Sequence, residues 1–487
     1  MQPEEKVILV DPHDHPLGLM PKMEAHRKGL LHRAFSVFIF DEQGRLMLQR
    51  RAATKYHSPG LWTNTVCSHQ RLGETNREAG KRRLIEELGF TTELREIFHF
   101  IYKAELDRGL TEHELDHVLI GKYNGQAKPN PEEVDGIKYM HLAELKTDIE
   151  KNPENYTEWF KIIFRESYQI LVKEAGKMFL NQPLFFDPYF EEKIWGGTAL
   201  KTILNKNIPS NHTGESWEIS SVKNKESHVK SGFFKGMPVS LLWNLFDREL
   251  WGSEIKRSYR NFPLLVKYID ANDDLSVQVH PDDQLASELH NSCGKTEMWR
   301  IISAQPGAAL YIGFKTGTTE DIFLRHLKAG TLKNILNRIP VKAKEMFYIP
   351  AGTVHAIGKG ILLAEVQQTS DLTYRIYDWN RVDQEGKRRE LHMERALKAI
   401  NFEAQPVKIV QSIRTPYFQT EEWKPGKTTS YQSETFTILV NTSDRKFRIN
   451  DWSFKPGETV LLPAHHPFEI EGEGTLLKIK AAGEKQY

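Results

Sequence analysis

A cysteine close to a histidine is the part of this sequence best suited to do chemistry. The run WTNTVCSH at residues 62–69 places Cys67 two residues before His69. A thiol can act as an acid or a base near neutral pH once a metal or a cation adjusts its pKa, and a nearby imidazole can hold that metal. Cys67 is therefore a candidate catalytic residue, and the alternative is a small buried apolar side chain.

Residues that typically bind metal ions accompany Cys67 in the first third of the chain. Glu112 and Glu114 flank one residue on a predicted strand, where alternate side chains share a face. Three imidazoles and two carboxylates can coordinate one divalent cation in an octahedral or mixed site. The candidate ligands are His26, His32, His69, Glu112 and Glu114. Since the chain has 19 histidines, a chance grouping of surface residues is the alternative.

Residues 68–89 resemble the Nudix box, a loop and helix that bind a metal-diphosphate. Two positions depart from it, because Ser68 replaces a glycine and Arg83 replaces a glutamate. The missing carboxylate argues against diphosphate hydrolysis, whereas an arginine at that position can bind phosphate. The competing interpretation is a Nudix hydrolase of a nucleoside diphosphate, which needs an activated water and no thiol. The positions that fit the box are Glu74, Arg82, Glu86, Glu87 and Gly89.

Residues 5–170 closely resemble type I isopentenyl-diphosphate isomerase. The features that carry the resemblance are the two departures from the Nudix box, the WTNTVCSH run, the three histidines and the two glutamates. In that family a cysteine and a glutamate stand on opposite faces of a C5 unit and move one proton on and one off through a cationic intermediate. The resemblance makes Cys67 and Glu114 this pair. It implies a divalent metal, Mn²⁺ or Zn²⁺, on the five candidate ligands, and Mg²⁺ at Glu87. It also implies substrate contacts from the cations Lys22, Arg51, Lys55 and Arg83, and from the aromatic faces of Tyr102 and Trp159.

A second set of potential metal ligands is spread over three segments of the later part of the chain. Strand alternation in residues 275–280 directs Gln278 and His280 to the same face. Glu297, in GKTEMW, and His355, in PAGTVHAIG, complete the set. Two imidazoles with oxygen ligands and an open position suit a catalytic Zn²⁺ ion.

Residues 180–487 closely resemble type I mannose-6-phosphate isomerase of the short bacterial kind. Further matches are EEKIWGGTAL at 191–200, GESWE at 214–218, LLVKYID at 264–270 and TYRIYD at 373–378. The resemblance implies a cupin fold whose main barrel holds zinc on the four ligands named above. It also implies a catalytic-site Arg375 and a substrate pocket that contains Lys267, Ser276, Lys295 and Glu365.

Aldose–ketose interconversion moves a proton between C1 and C2 of an open-chain sugar through an enediol. Zinc can polarise the carbonyl, and Arg375 can add positive charge beside the developing oxyanion. The base stays open between Glu365, a zinc-bound water and a histidine. A metal-binding cupin without turnover, or a cupin that acts on another phosphosugar, is the alternative for this half.

The elements that position these residues differ between the two halves. The first third mixes strand-like runs, such as residues 34–40 and 46–48, with helical spacing at 76–88 and 159–172. It predicts an α+β, Nudix-like domain over residues 1–175.

After about residue 180 short apolar runs alternate with Gly, Pro and Asn, which predicts a mainly-β sandwich or barrel, and the resemblance implies that this part is a double cupin. Apolar residues at helical spacing in 318–338 predict a helical insertion in the catalytic cupin, residues 180–405. A smaller cupin-like unit is predicted over residues 406–487. The run 387–390, KRRE, is interpreted as an exposed loop, with phosphate contact as the alternative.

Composition sets the wider limits. A formal charge of +1 gives no overall bias toward nucleic acid or membrane. Small phosphorylated substrates are the partners that the two resemblances imply. Two widely separated cysteines and the lack of a long apolar run predict a cytoplasmic protein with reduced thiols. The sequence therefore predicts a bifunctional isomerase of isoprenoid biosynthesis and carbohydrate metabolism, and leaves its oligomeric state open.

Overall fold

Residues 5–106, 109–382 and 386–482 are described by a computed structural model of the chain. The chain divides into unit 1, residues 1–179 and 230–237, and unit 2, residues 180–229 and 238–487. The domain limits that the sequence predicts, at 175/180 and at 405/406, stay predictions. Among the described residues, no helix combines the length and apolar character that crossing a membrane requires.

Unit 1 is built on one mixed β-sheet with helices against it. Its strands are β1 (Lys6–Val10), β2 (Pro16–Pro21), β3 (His32–Phe40), β4 (Leu46–Arg51), β5 (Trp62–Thr63), β6 (Val66–Ser68), β7 (Arg95–Glu105), β8 (Thr111–Lys122) and β9 (Val134–Met140). Its helices are α1 (Lys22–Lys28), α2 (Asn76–Leu88), α3 (Leu142–Lys151) and α4 (Glu158–Gly176), with 3-10 turns at Pro153–Asn155 and Lys177–Phe179.

Strand β3 is the centre of this sheet. It pairs with β1, β4 and β6 in antiparallel fashion and with β8 in parallel. Its odd-numbered side chains, Phe35, Val37 and Ile39, belong to a buried cluster with Leu84 and Leu88 of α2. Because side chains alternate along a strand, the even-numbered positions of β3 face the opposite side of the sheet.

Helix α2 spans the residues whose spacing predicts a helix, and its ends explain why. Thr75 caps the N-terminus, since its side chain accepts a hydrogen bond from the Glu78 amide while the Glu78 carboxylate accepts one from the Thr75 amide. Gly89 ends the helix in the left-handed region, at φ 71°. Helix α4 runs on to Gly176, beyond the predicted residue 172, so the polar residues 173–176 belong to the helix.

Unit 2 consists mostly of β-strands. Those of its larger part are β10 (Leu184–Asp187), β11 (Tyr189–Gly197), β12 (Thr213–Ile219), β13 (His228–Val229), β14 (Leu264–Ala271), β15 (Val277–Val279), β16 (Glu297–Ala304), β17 (Ala309–Phe314), β18 (Leu336–Pro340), β19 (Met346–Ile349), β20 (His355–Ile357), β21 (Ile361–Gln368), β22 (Tyr374–Tyr377) and β23 (Val407–Ile409). The remaining strands are β24 (Ser412–Arg414), β25 (Phe418–Trp423), β26 (Thr428–Tyr431), β27 (Thr437–Val440), β28 (Phe447–Ile449), β29 (Trp452–Phe454), β30 (Thr459–Leu462), β31 (Phe468–Glu471) and β32 (Leu476–Ala481).

These strands form two pairs of sheets. In the first pair, the sheet β11-β12-β14-β21-β16-β19-β23 lies against the sheet β18-β17-β20-β15-β22. Trp299 and Leu363 of the former share a buried cluster with Leu310 and Ile357 of the latter. The second pair combines β13-β10-β30-β27-β32-β25-β24 with β26-β31-β28-β29. The two-sheet arrangement agrees with the predicted mainly-β double cupin. Strands β10 and β13, however, belong to the smaller sandwich although they are far from its other strands in sequence.

Short helices connect the strands of unit 2. They are α5 (Ala199–Thr202), α6 (Val239–Leu245), α7 (Arg248–Trp251), α8 (Ser253–Ser258), α9 (Asp283–His290), α10 (Glu320–Lys328) and α11 (Met393–Ala399).

The helical insertion predicted over residues 318–338 is shorter than its apolar spacing suggests. Helix α10 occupies Glu320–Lys328, Gly330 adopts a φ of 69°, and a 3-10 turn follows at Leu332–Asn334. Residues 336–340 form strand β18, which pairs with β17. Leu336 fits a helical repeat in sequence, but pairing with β17 decides its conformation.

Replacing Thr75 with Ala is expected to destabilise α2 by about 1 kcal/mol, because it removes the hydroxyl that accepts a hydrogen bond from the Glu78 amide and donates one to the Glu78 carboxylate. Hydrogen exchange of the α2 amides in the full chain is then expected to be about fivefold faster. Thr147→Ala is the matched control, since the Thr147 hydroxyl only donates back to the Ala143 carbonyl within α3. Equal exchange of the α2 amides in both variants would contradict the capping role.

Candidate active sites

The pairing of β3 brings the chemical residues of unit 1 together. Its parallel register with β8 places His32 beside Glu114, and its antiparallel register with β6 places Ser36 beside Cys67. All of these side chains lie near the even-numbered face of β3, away from the α2 core. Helix α1 adds His26, which is buried.

Four of the five predicted metal ligands form one buried cluster. One ligand atom of each of His26, His32, His69 and Glu114 lies within 4.8 Å of the others. The Nε2 atoms of His26 and His32 are 3.2 Å apart, and Glu114 Oε1 is 3.1 Å from His69 Nε2 and 3.5 Å from His32 Nε2. Several lone pairs therefore converge on one small volume.

The donors fit a divalent cation. Burial lowers the pKa of His26 to about 3 and that of His69 to about 4, so both imidazoles are neutral at neutral pH. The Nδ1 atom of His32 lies 2.8 Å from the Leu30 carbonyl oxygen, which directs its Nε2 lone pair into the cluster. Burial opposes ionisation of Glu114, but hydrogen bonds from His32 and His69 hold its pKa well below the ordinary value.

Glu112, the fifth predicted ligand, lies beside this group. The Tyr102 hydroxyl is 3.1 Å from Glu112 Oε2 and 2.7 Å from Glu114 Oε2, so the tyrosine joins the two carboxylates. Burial, and then the charge of Glu114, raise the pKa of Glu112 well above its ordinary value. The hydrogen bonds of its hydroxyl, as well as the packing of its ring, therefore hold Tyr102 in position.

A cavity of about 270 Å³ opens beside the cluster and includes Cys67 in its wall. Burial raises the pKa of the Cys67 thiol to about 12, so it carries its proton at neutral pH. Trp159 closes another side, and the Arg51 guanidinium lies 5.2 Å from the centre of its ring. The predicted residues that line the cavity are Lys22, His26, Arg51, Lys55, Cys67, His69, Arg83, Tyr102, Glu112, Glu114 and Trp159.

Carboxylates accompany the predicted diphosphate-binding cations. Glu5 Oε2 is 3.2 Å from Lys22 Nζ, and Glu133 forms ion pairs with Lys55 and, at 3.3 Å, with Arg83. These contacts hold the long cationic side chains beside the cavity.

Glu87 is buried next to this group. Its carboxylate accepts hydrogen bonds from Arg83 Nε at 2.9 Å and from Gln49 Nε2 at 2.9 Å. Arg83 therefore lies between Glu87 and Glu133, at the position where the Nudix box has a glutamate.

Sequence reasoning missed several residues of this cavity. Glu5, Tyr56, His57 and Glu133 line it, although none falls in a recognisable motif. The only sequence signal at Glu133 is an acidic pair in a short Pro-rich loop, which is common on protein surfaces.

In unit 2 the predicted zinc ligands converge where three strands meet. A ligand atom of each of His280, Glu297 and His355 lies within 4.8 Å of the others, and Gln278 pairs with His355 between β15 and β20. Glu297 Oε1 is 3.2 Å from His280 Nε2, and the Gln278 amide nitrogen is 3.2 Å from His355 Nε2. Rotation of that amide would present its oxygen to the same point.

Backbone carbonyls set the tautomers of both histidines. His280 Nδ1 is 2.8 Å from the Leu372 oxygen, and His355 Nδ1 is 2.9 Å from the Thr353 oxygen. Their Nε2 lone pairs are therefore left for a metal, and burial lowers the pKa of His280 to about 3. Burial disfavours the charge on Glu297, but Lys295 and His280 hold its pKa well below the ordinary value. This donor set also fits a divalent cation.

A cavity of about 290 Å³ lies next to these ligands. Lys267 Nζ is 2.9 Å from Glu365 Oε1, and the Trp299 indole donates a hydrogen bond to Glu365 Oε2 at 2.8 Å. Burial, and then the charge of Glu297, raise the pKa of Glu365. The predicted residues in the cavity wall are Lys267, Ser276, Gln278, Lys295, Glu365 and Arg375.

Two further cations of this cavity escape the motif-based prediction. Lys193 lines it from β11, and Arg389 lines it from the run 387–390. Arg389 is held by Asp378, with Nε at 2.7 Å from Oδ2, and Arg375 donates to the Glu390 carbonyl at 2.9 Å. Lys387, Arg388 and Glu390 are exposed, as the loop interpretation expects, whereas Arg389 is half-buried beside Asp378.

Known proteins of two different families match two different parts of the chain. Residues 30–160 match the NUDIX domain family. Isopentenyl-diphosphate Delta-isomerase 2 from Aromatoleum aromaticum is 52% identical over 156 residues, which are 32% of this chain and 82% of that protein. The enzyme of the same name from Photorhabdus laumondii is 50% identical over 167 residues, 34% of this chain and 94% of that protein.

Residues 184–297 match the catalytic domain of type I phosphomannose isomerase. Mannose-6-phosphate isomerase ManA from Bacillus subtilis is 38% identical over 310 residues, 60% of this chain and 96% of that protein. A crystal structure of the mannose 6-phosphate isomerase from Bacillus subtilis superposes with a TM-score of 0.56 at 34% identity, and covers 61% of this chain and 99% of that one. The two metal-type clusters thus lie in two separately matched regions, and the chain belongs to the isopentenyl-diphosphate isomerase family in its N-terminal part and to the type I mannose-6-phosphate isomerase family in its C-terminal part.

Proposed function

We propose that the chain is a bifunctional isomerase. Its N-terminal part interconverts isopentenyl and dimethylallyl diphosphate, and its C-terminal part interconverts mannose 6-phosphate and fructose 6-phosphate. Neither reaction changes a redox state, and both substrates are small phosphorylated molecules. The observation that carries the first activity is a protonated thiol and an ionised carboxylate, Cys67 and Glu114, in the wall of one cavity.

Moving the double bond of isopentenyl diphosphate needs one proton added to the terminal methylene and one removed from C2. Cys67 holds a proton that it can deliver, since burial raises its pKa to about 12. Glu114 is ionised and can accept the other proton, with the Tyr102 hydroxyl 2.7 Å from its Oε2. The rings of Tyr102 and Trp159 offer negative faces to the tertiary cation between the two transfers.

The diphosphate is bound by the cations at the same cavity. Lys22, Lys55 and Arg83 exchange their contacts with Glu5 and Glu133 for phosphate oxygens. Two metal ions would neutralise the rest of the diphosphate charge. One would be Mn²⁺ or Zn²⁺ on the histidine cluster, and the other would be Mg²⁺ near Glu87. The cluster that would hold the first ion is His26, His32, His69 and Glu114, with Glu112 beside it.

For the sugar phosphate, we assign the four polar residues Gln278, His280, Glu297 and His355 to a zinc ion. A bound zinc ion would polarise the carbonyl oxygen of the open-chain sugar. Arg375 lines the adjacent cavity and adds positive charge there. Glu365 is our candidate for the proton transfer between C1 and C2, because its carboxylate lies in the wall of this cavity and Lys267 holds it from 2.9 Å.

The competing function is a Nudix diphosphate hydrolase fused to a non-catalytic cupin or to one that binds another sugar phosphate. Arg83 weighs against hydrolysis, because it occupies the space between Glu87 and Glu133 where a metal-binding carboxylate would be needed.

Cys67→Ala is expected to lower isopentenyl-diphosphate isomerisation by about 10²–10⁴-fold, the usual contribution of a positioned acid or base. The measurement is conversion of isopentenyl to dimethylallyl diphosphate by the full chain. Cys293→Ala is the matched control and should retain wild-type turnover. Unchanged turnover in the Cys67 variant, or phosphate release from a nucleoside diphosphate by the wild type, would reject the assignment.

Metal removal is expected to abolish mannose-6-phosphate isomerisation, and added Zn²⁺ should restore it. His355→Ala should give the same loss without restoration, because it removes one of the two imidazoles of the cluster. His326→Ala on α10 is the control and should behave as the wild type in the coupled fructose-6-phosphate assay. Full activity of the chelated protein would refute the zinc assignment.

A further inference from the structure

A third group of potential metal ligands lies on strands β7 and β8, on the face of β8 opposite Glu114. A ring nitrogen of His99, a ring nitrogen of His117 and a carboxylate oxygen of Glu96 lie within 4.8 Å of one another. His99 and His117 are directly opposite each other in the register of the two strands. A bulge between Glu96 and Phe98 turns Glu96 to the same side, with Oε1 2.7 Å from His117 Nδ1.

Two of these three side chains already have the supporting contacts that metal ligands usually have. Asn76 donates a hydrogen bond to Glu96 Oε2 at 3.0 Å, which leaves Oε1 free to face the imidazoles. His117 Nε2 is buried without a hydrogen-bond partner among the described residues and lies 3.4 Å from Asp14 Oδ2. Arg33 fixes Asp14 through a 2.7 Å ion pair. Ligating histidines typically turn their second nitrogen toward a carboxylate in this way.

We propose that Glu96, His99 and His117 bind a divalent cation of the zinc class, separate from both catalytic clusters. His117 would bind through Nδ1 in the tautomer that carries its proton on Nε2, from which it donates a hydrogen bond to the Asp14 carboxylate. Two imidazoles and a carboxylate are ligands that Zn²⁺ prefers, and solvent water completes the coordination because His99 is exposed.

The three donors lie close to the spacing that a zinc ion needs. Bonds of 2.0–2.1 Å in a tetrahedral site place ligand atoms roughly 3.3 Å apart, compared with 2.7 Å between Glu96 Oε1 and His117 Nδ1 and at most 4.8 Å between any two of the donors. None of the three residues lines the cavity of the N-terminal site, so the proposal does not depend on the proposed activities.

The test counts zinc equivalents in the metal-free full chain, titrated against a chromophoric zinc indicator. His99→Ala and Glu96→Gln are each expected to lose one equivalent relative to the wild type. His99 is exposed, so its replacement is not expected to unfold the protein, and His212→Ala, at another exposed histidine, is the matched control. The same number of equivalents in wild type and His99→Ala would overturn the proposal.

A double variant separates this site from the catalytic cluster. His26→Ala removes a ligand of that cluster, so His26→Ala/His99→Ala should lose one equivalent more than His26→Ala alone. If the double variant loses no more than His26→Ala, the two histidines serve one site and the proposal is wrong. Because the readout is metal content, the result holds whether or not either isomerase activity is observed.

Discussion

The register of strand β3 is the constraint on which the N-terminal site depends. Its odd positions, Phe35, Val37 and Ile39, pack into the core under α2, while His32 and Ser36 face Glu114 and Cys67. A slip of one residue would exchange the two faces and put Leu31 or Arg33 where His32 stands and Phe35 or Val37 where Ser36 stands. Hydrophobic packing on one side of the sheet therefore determines which side chains reach the site on the other side. The register of β3 both stabilises the core and positions the site residues.

The two catalytic clusters use the same electrostatic arrangement on unrelated scaffolds. Each buries imidazoles that are neutral and sets at least one tautomer by a backbone carbonyl, Leu30 for His32 and Leu372 for His280. Each also buries a carboxylate, Glu114 or Glu297, whose charge is maintained by its polar neighbours against the cost of burial. Such a group of donors is costly in the absence of a cation, since many lone pairs face one another.

Much of this architecture can be predicted from the sequence where local chemistry and tertiary structure agree. Residues 76–88 form the expected helix because a capping box and a terminal glycine specify both ends locally. Residues 336–340 do not form the expected helix, because pairing with β17 is a long-range interaction that apolar spacing does not encode. Likewise, Glu133 and Arg389 are held at the cavities by ion pairs that no local pattern encodes, with Arg83 for one and Asp378 for the other.

The pairing of β10 with β30 has a consequence for the way unit 2 must fold. Residues 184–185 hydrogen-bond with residues 460–461, so more than half of the chain separates the two strands. Closing so large a loop carries an entropic cost that is recovered only after the contact forms. During synthesis β10 can pair with β13 long before it can pair with β30, because residues 460–461 must first leave the ribosome. The smaller sandwich is thus completed late, and the β10 edge that later pairs with β30 is the surface that most needs protection before then.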